Sequence, residues 1–540
     1  MQHTIKDILD SAFNADVVLN IPKDSTLGHF ATPIAFSLAK TLKKSPNEIA
    51  QNLAKNLADS PQFSQYFSKV EAVNGFVNLA LSDNFLAQMS KSLLENDGFH
   101  ASKSQKQQKI LLEFVSANPT GPLHIGHARG AIYGDTLARI GRFLGHTITS
   151  EYYINDAGSQ IDNLVNSVLK AKSETLGDSS KTPQDSTLKD STESTQDSMQ
   201  NLYKGEYIID LANEAIKHFG NDFSKTPQLR DFCVNKMLLL IKENLKNANI
   251  AFDNFVSEKS LIPALNSTLE ALKSNDGLYE KDGKVWLKSS QFGDEKDRVI
   301  IRESGEPTYL AGDIVYHNDK FKRDFDSYIN IWGADHHGYI ARIKASVAFL
   351  GFDNTKLECL LSQMVNLLKD GKPYKMSKRA GNFILMSEVI DEIGIDALRF
   401  IFITKRADTH LEFDITDLKK QDSSNPIFYI NYANARIHTL LEKSTADISF
   451  DFIDLGSEWK DLLFFAMLLP SVLEASFSER AMQKLPEYLK NLASKLHFCY
   501  NSYKIIGSSS EGAICCVLKV VSLSITTGLN LMGIVAKTKM

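Results

Sequence analysis

The sequence predicts a multidomain α/β protein: a doubly wound parallel-sheet core, preceded by a small α+β domain and followed by an all-α helix bundle. Three observations predict it. The chain has 540 residues, which at roughly 100–200 residues per domain suffices for about three cores. An apolar run at 110–115, an Asn-Pro-Thr-Gly-Pro loop and a long helical pattern at 125–144 form the strand–loop–helix opening of such a sheet. Beyond residue 396, apolar residues recur at helical spacing and no strand-like alternation stands out.

Helical periodicity at 31–39 and 49–57, then alternation at 69–81, makes residues 1–105 the α+β domain. The Lys- and Gln-rich run 102–109 is its linker. The core domain spans 106–395, with further strand candidates at 284–287, 299–302 and 328–332. Residues 172–200 interrupt it. They hold twelve Ser/Thr among twenty-nine residues, no aromatic, and the tripeptide Asp-Ser-Thr twice. Such a segment buries too little apolar surface to offset the entropy of ordering it, so a flexible surface insertion is expected. Residues 396–424 are expected to be a helical connection. Helical patterns at 396–404, 427–442, 459–473 and 482–502 place the bundle at 425–540.

A composition of 43% hydrophobic and 23% charged residues excludes collagen-like, coiled-coil and wholly disordered chains. Sixty basic and sixty-five acidic residues give a net charge of −5, a total that by itself points to no nucleic-acid partner. Five cysteines form neither a CxxC pair nor a zinc-spaced cluster, which predicts reduced thiols and no structural metal. The first ten residues mix charges and lack the apolar core of a signal peptide. The apolar stretch 462–473 falls short of the ~20 residues of a membrane span. The sequence therefore predicts a soluble, cytoplasmic protein with no membrane partner.

Two motifs carry chemistry. His124-Ile125-Gly126-His127 sits at a predicted helix start, where unpaired backbone N–H groups attract anions. Imidazole donors there can hold nucleotide phosphates and stabilise charge developing on phosphorus. A lone pair of histidines is more often capping or core; the preceding Asn-Pro-Thr-Gly-Pro turn, with Gly126, Gly130 and Gly134 at helical spacing, reverses those odds. The second motif, Lys375-Met376-Ser377-Lys378-Arg379, lies between Gly371 and Gly381 and reads as a cationic loop able to neutralise a polyphosphate transition state. Taken alone, a solvated basic loop is an equal reading.

Together the two motifs resemble the paired signature of class I aminoacyl-tRNA synthetases. The segments Glu113 to His127, Tyr152 to Asp156, Trp332 to Gly338 and Asp396-Ala397-Leu398-Arg399, in that order, are similar to arginyl-tRNA synthetases along essentially the whole chain. The resemblance implies a Rossmann-type catalytic domain and an arginine–tRNA ligase activity. Arginine and ATP would give arginyl-adenylate, and the arginyl group would pass to the terminal adenosine of tRNA(Arg). A catalytically inactive tRNA-binding paralogue is the alternative.

Residue by residue, the resemblance implies catalytic roles for His124, His127, Lys375 and Lys378. It implies ATP contacts from Pro119, Thr120, Gly121, Pro122, Leu123, Ile125, Gly126, Gly333, Asp335, His336, Met376 and Ser377. A core role for His336 is equally compatible with the sequence. Arginine recognition would fall to Glu113, Asn118, Tyr309 and Asp313, because a guanidinium asks for planar acceptors. The N-terminal domain, with Gly28-His29-Phe30-Ala31, would touch the tRNA elbow; His29 stands where relatives commonly carry Asp. The bundle would bind the anticodon, with Tyr429, Tyr432 and Arg436 available to stack on unpaired bases, although packing within the bundle is an equal reading for Tyr429. Magnesium is implied with ATP, tRNA is implied as a requirement for arginine activation, and a monomer is implied.

Overall fold

The computed structural model describes residues 1–96, 98–100, 106–175, 202–223, 226–374 and 383–540. The chain divides into two compact units. One joins the two ends of the sequence, Met1–Gln105 with Lys420–Met540, and the other is Lys106–Lys419.

In the terminal unit, strands β1 (Phe30–Thr32), β2 (Phe67–Val73) and β3 (Phe76–Leu81) form an antiparallel sheet ordered β1-β3-β2. Two expectations change here. The helix predicted at 31–39 is Ile34–Leu42, because Pro33 disfavours helical geometry at Thr32, leaving 30–32 free to pair with β3. The alternation at 69–81 is a hairpin rather than one strand. Asn74 (φ 52°) and Gly75 (φ 81°) turn it, the left-handed pair that two-residue hairpins require.

The bundle consists of helices Pro426–Lys443, Ser457–Ala466, Leu469–Ser478, Lys484–Ser502 and Glu511–Leu531. The predicted helix 459–473 is thus two helices, the second carrying Pro470 in its first turn. Glu511–Leu531 escaped the sequence reading. It is long and apolar enough to cross a membrane, with a mean hydropathy of 1.8, yet 67% of that window is buried inside the fold, as befits a core helix. The N-terminal domain packs on the bundle through the His29 and Phe30 rings against Phe464 (4.6 and 5.3 Å), Lys460 Nζ to Asp83 (2.8 Å) and His3 to Glu474 (2.7 Å).

In the other unit the strands are β4 (Lys109–Glu113), β5 (Thr147–Ile154), β6 (Asn254–Ser257), β7 (Leu278–Lys281), β8 (Lys284–Leu287), β9 (Arg298–Ile301), β10 (Ser327–Gly333), β11 (Leu357–Ser362), β12 (Val365–Lys369), β13 (Lys372–Pro373) and β14 (Leu411–Asp414). The order β11-β10-β4-β5-β6, parallel throughout, is a doubly wound, Rossmann-type sheet. Of the three further strand candidates only 328–332 joins it. Residues 284–287 and 299–302 belong to the antiparallel sheet β7-β8-β9, where the tight Asp282-Gly283 turn leaves no room for a crossover helix. The connection 396–424 is not wholly helical, since β14 pairs in parallel with β12. The insertion expected at 172–200 lies outside the described residues from 176 onward, and 172–175 still belong to the helix Ser159–Thr175.

Candidate active site

Strand order reverses between β4 and β10, and that crevice is where doubly wound sheets bind ligands. Several polar residues gather at the carboxyl ends of these strands, Glu258 among them although the sequence had not singled it out. Glu113 ends β4, Asn155 and Asp156 follow β5, Glu258 follows β6, and Gly333 ends β10.

His124 is the N-cap of the helix Ile125–Phe143, and its Nδ1 accepts from the Gly126 N–H at 3.1 Å. His127 Nδ1 accepts in turn from the His124 N–H at 3.4 Å. The rings stack at 3.6 Å between centroids, and Phe383 stacks on His124 at 5.1 Å. With Nδ1 an acceptor, each ring carries its proton on Nε2. Burial lowers the His124 pKa, and burial together with His124 lowers that of His127 to about 3. The motif is therefore a pair of neutral N–H donors at a helix N-terminus.

The loop before it is strained and pinned. Val115 (φ 69°) and Ser116 (φ 40°) occupy left-handed geometry, which a β-branched residue such as Val115 avoids. The Ser116 N–H closes a three-residue turn on the Phe114 carbonyl at 3.0 Å. Pro119, Thr120, Leu123 and Ile125 are buried, Gly126 is exposed, and Leu123 N donates to Asn244 Oδ1 at 3.1 Å. Gly121 faces the Tyr207 ring closely. Of the three helix glycines, Gly134 alone lies hard against a neighbour, where any β-carbon would collide with Phe114; at Gly130 the nearest atom would be 3.9 Å away.

Lys375, Met376, Ser377 and Lys378 lie outside the described residues. The chain immediately after them is held on the histidine motif. Ile384 C=O accepts from Ile125 N at 2.9 Å, Met386 N donates to Leu123 C=O at 2.9 Å, and Leu385 forms a β-bridge with His124.

Glu113, expected on the substrate guanidinium, is buried at 3% exposure with both oxygens occupied. Its Oε1 accepts from Ser116 Oγ (2.9 Å), and its Oε2 from Lys320 Nζ (2.6 Å). Lys320, fully buried, also donates to Asn330 Oδ1 (2.7 Å), whose amide nitrogen meets His317 Nε2 (3.0 Å). His317 Nδ1 donates to the Asp313 carbonyl at 2.8 Å, and burial lowers its pKa to about 3. This neutral histidine and buried lysine were not found from sequence. The elements they join, β4, β10 and the helix Tyr309–Lys322, are far apart in the chain.

Tyr309 and Asp313 lie one turn apart at the start of that helix. The exposed Tyr309 hydroxyl shares a hydrogen bond with Ser159 Oγ at 2.7 Å. Asp313 accepts from the Tyr339 hydroxyl at 2.5 Å, and burial pushes its carboxyl up to about 7. Asn118 Nδ2 donates to Gln160 Oε1 at 2.6 Å. Gly333 at the end of β10, and Asp335 and His336 just after it, are exposed, which removes the core reading of His336.

This arrangement of sheet, donor pair and acidic pocket has relatives. The class I (R) tRNA synthetase catalytic-domain model matches residues 88–452, the arginyl-tRNA synthetase N-terminal-domain model 1–81, and the DALR anticodon-binding-domain model 430–540. A curated Campylobacter jejuni protein called Arginine–tRNA ligase is 53% identical over 99% of this chain and 98% of its own. The chain belongs to the arginyl-tRNA synthetase family.

A Campylobacter jejuni crystal structure assigned to the arginyl-tRNA synthetases aligns with a TM-score of 0.78 at 52% identity, covering 85% of this chain and all of its own. The Thermus thermophilus arginyl-tRNA synthetase shares the fold, with a TM-score of 0.76 at 18% identity over the whole of both chains. Within the arginyl-tRNA synthetase frame, the bundle face carrying Tyr432 has a definite construction. Tyr432 is exposed and stacks on Phe428 (6.1 Å) and His497 (5.6 Å), while half-buried Tyr429 lies 4.6 Å from the His497 ring. The Arg436 guanidinium covers Tyr500 at 3.7 Å and is held by His497 Nδ1 (3.1 Å) and Asn501 Oδ1 (3.0 Å). His497, Tyr500 and Asn501 come from another helix and were not read from sequence. His29 Nδ1 accepts from the Leu81 N–H at 2.8 Å in the N-terminal domain.

Proposed function

We propose that this chain is an arginine–tRNA ligase that activates L-arginine with ATP and charges tRNA(Arg) in support of translation. The observation that carries the reading is the neutral His124–His127 pair at the C-terminal sheet edge that also presents Tyr309 and Asp313. The full-length identity to arginine–tRNA ligases supports it, and the intact His and Lys signatures weigh against an inactive paralogue.

In the first step the arginine carboxylate attacks the α-phosphate in line, and pyrophosphate leaves. Such chemistry is driven by positioning and charge stabilisation. Nε2–H of His124 and His127 donates to phosphate oxygens, alongside the N-terminal amides of their helix. Pro119, Thr120, Gly121, Pro122, Leu123, Ile125 and Gly126 shape the ATP-facing turn, with Gly333, Asp335 and His336 on the adenosine side. Lys375 and Lys378, with Met376 and Ser377, neutralise charge on the leaving pyrophosphate. That assignment rests on the sequence motif and on the anchoring of Ile384–Met386 beside His124. Asp313, Tyr309 and Asn118 hold arginine, Asn118 on the amino-acid backbone. Magnesium would come with the ATP phosphates, where it would neutralise their charge. The ribose 2′-hydroxyl of the terminal tRNA adenosine then attacks the adenylate carbonyl and gives up its proton, the bond from that carbonyl to the phosphate oxygen breaks, AMP leaves, and the arginyl group is esterified to the tRNA.

The N-terminal domain reads as the contact to the tRNA elbow, and the Tyr429–Tyr432–Arg436 face as the contact to anticodon bases. We place the enzyme in the cytoplasm as a monomer. Amino-acid-dependent exchange of pyrophosphate into ATP, with and without tRNA, tests the whole reading. Exchange with arginine alone of the twenty amino acids is expected, and exchange with another one refutes it.

A further inference from the structure

One carboxylate gathers three donors from three separate segments, and neither sequence pattern nor family resemblance marks it. Glu392 lies in the last turn of the helix Met386–Ile393, with its side chain 16% exposed. Its Oε1 accepts from Lys369 Nζ at 2.5 Å and Lys419 Nζ at 3.0 Å, and its Oε2 from the Tyr374 hydroxyl at 2.6 Å. Burial alone would raise its pKa, but the hydrogen bonds from Lys369, Tyr374 and Lys419 hold it down at about 2. The bond to Glu392 likewise pushes the Tyr374 phenol up to about 12. The cluster therefore keeps one charge state throughout the neutral range.

The place of these donors in the chain gives the cluster its meaning. Tyr374 immediately precedes Lys375, and Lys369 closes β12. The arm they belong to is well pinned. β12 and β13 pair antiparallel through Leu368 with Pro373 and Lys369 with Lys372, and Tyr374 N donates to the Leu367 carbonyl at 2.8 Å. At the turn of that arm, Asp414 Oδ2 accepts from Gly371 N at 2.7 Å and Oδ1 from Asp370 N at 3.3 Å. Glu392 belongs to the opposite flank of the lysine motif. Its helix begins at Met386, where Ile384–Met386 are bonded to Leu123, His124 and Ile125.

A single carboxylate thus fastens the chain entering the Lys375–Lys378 motif to the helix that follows it, and that helix is fastened to the histidine pair. Ordinary surface ion pairing is the plain alternative, and half-exposed Lys–Glu pairs add little stability. Two features favour a role in the reaction. The cluster bridges the two flanks of the motif rather than neighbours on one helix face, and the phenol beside Lys375 is a directional donor that ion pairing does not need.

We infer that Glu392 is a positioning residue for arginine activation: holding Tyr374 and Lys369 from the opposite flank, it sets both ends of the segment carrying Lys375 and Lys378 relative to His124 and His127. It touches no substrate and acts through the lysines. A displacement of about 1 Å in a group that stabilises a transition state can cost about 10²-fold in rate. The inference deepens the ligase reading and rests on it, and its test separates the two.

Pyrophosphate exchange with arginine, ATP and saturating tRNA(Arg) is measured with the full chain, alongside urea unfolding. Glu392→Ala should lower kcat by about 10–100-fold while the arginine KM stays within about twofold. Tyr374→Phe removes one hydroxyl and keeps the ring, so the fold should persist while kcat falls about 3–10-fold. This second variant decides the matter if Glu392→Ala does not fold. In a Lys378→Ala background, Tyr374→Phe should cost no more than about twofold, because a group that acts through the lysines then has little left to position. A purely structural cluster would move the urea midpoint and leave kcat per folded molecule unchanged. An unchanged kcat in Tyr374→Phe, or the same fold-loss with and without the Lys378 side chain, overturns the inference and leaves the ligase standing. No arginine-dependent exchange by the unaltered chain overturns the ligase reading itself.

Discussion

Burial decides how the signature histidines work. The His127 pKa stands at about 3, against an ordinary value near 6.5. The unfolded chain therefore takes up a proton first as pH falls, and stability attributable to this site is lost progressively between about pH 6.5 and 3. The urea midpoint should fall between pH 7 and 5, and His127→Gln should flatten the fall; an equal slope in the variant contradicts it. The same variant should lower kcat by about 10²–10³-fold, the usual cost of one preorganised donor to a developing oxyanion, as read in pyrophosphate exchange. At the Glu113–Lys320 pair the expectation is structural. Lys320→Met leaves a buried carboxylate without its cation, a loss of about 3–5 kcal/mol, and Glu113→Gln in addition should restore much of it. Urea unfolding of the single and double variants checks this, and a double variant no better than the single one refutes it.

At the scale of elements, the helix Ile125–Phe143 is where close packing is tested. Gly134→Ala drives a methyl into the buried Phe114 ring and should cost about 1–3 kcal/mol. Gly130→Ala meets nothing nearer than 3.9 Å and should be neutral or stabilising, by up to about 1 kcal/mol, through helix propensity. Thermal unfolding distinguishes them; equal shifts would show that this packing does not discriminate. The same helix explains Arg399, which resemblance marked without a role. Fully buried, it binds Asp135 on this helix and the Ala248 carbonyl (2.8 Å), so it docks Ile395–Phe402 on the histidine-bearing helix. How legible each element was follows from where its information lies. The unit β4–loop–Ile125–Phe143 could be read because its apolar run, breakers and periodicity are contiguous. The Asn74-Gly75 hairpin was also written locally, but alternation on both arms concealed the turn. β14 and β6 are four-residue strands defined by their partners, and a short segment holds too few periods to declare itself. Glu258, Lys320 and His497 were illegible for the same reason: their neighbours are contributed by remote segments, and an isolated charged residue or histidine has no signature.

For the molecule as a whole, net charge misleads and connectivity informs. Residues 172–200 carry six acids and three lysines, hence −3 of the total −5, so the rest of the chain is close to neutral. A neutral average is compatible with a polyanionic partner when cations such as Arg436 are fixed locally. Connectivity gives the last prediction. The two chain ends fold into one unit, in which the first domain covers Phe464 with the His29 and Phe30 rings and adds the Lys460–Asp83 and His3–Glu474 pairs. The bundle core and the parallel-sheet core are separate, and separate cores with their own contacts tend to unfold as separate transitions. Removing residues 1–105 exposes apolar surface around Phe464, 7% exposed in the intact chain, without touching the hydrogen bonds of the His124 motif. Calorimetry of the truncated chain should show the bundle transition moved to lower temperature and the catalytic-unit transition in place. Arginine activation under saturating tRNA should then outlast efficient charging at low tRNA, because on the proposed elbow contact the lost domain supplies affinity rather than chemistry. A truncated chain in which both transitions shift equally would mean that the two units unfold as one, and the division of labour drawn from connectivity would fail.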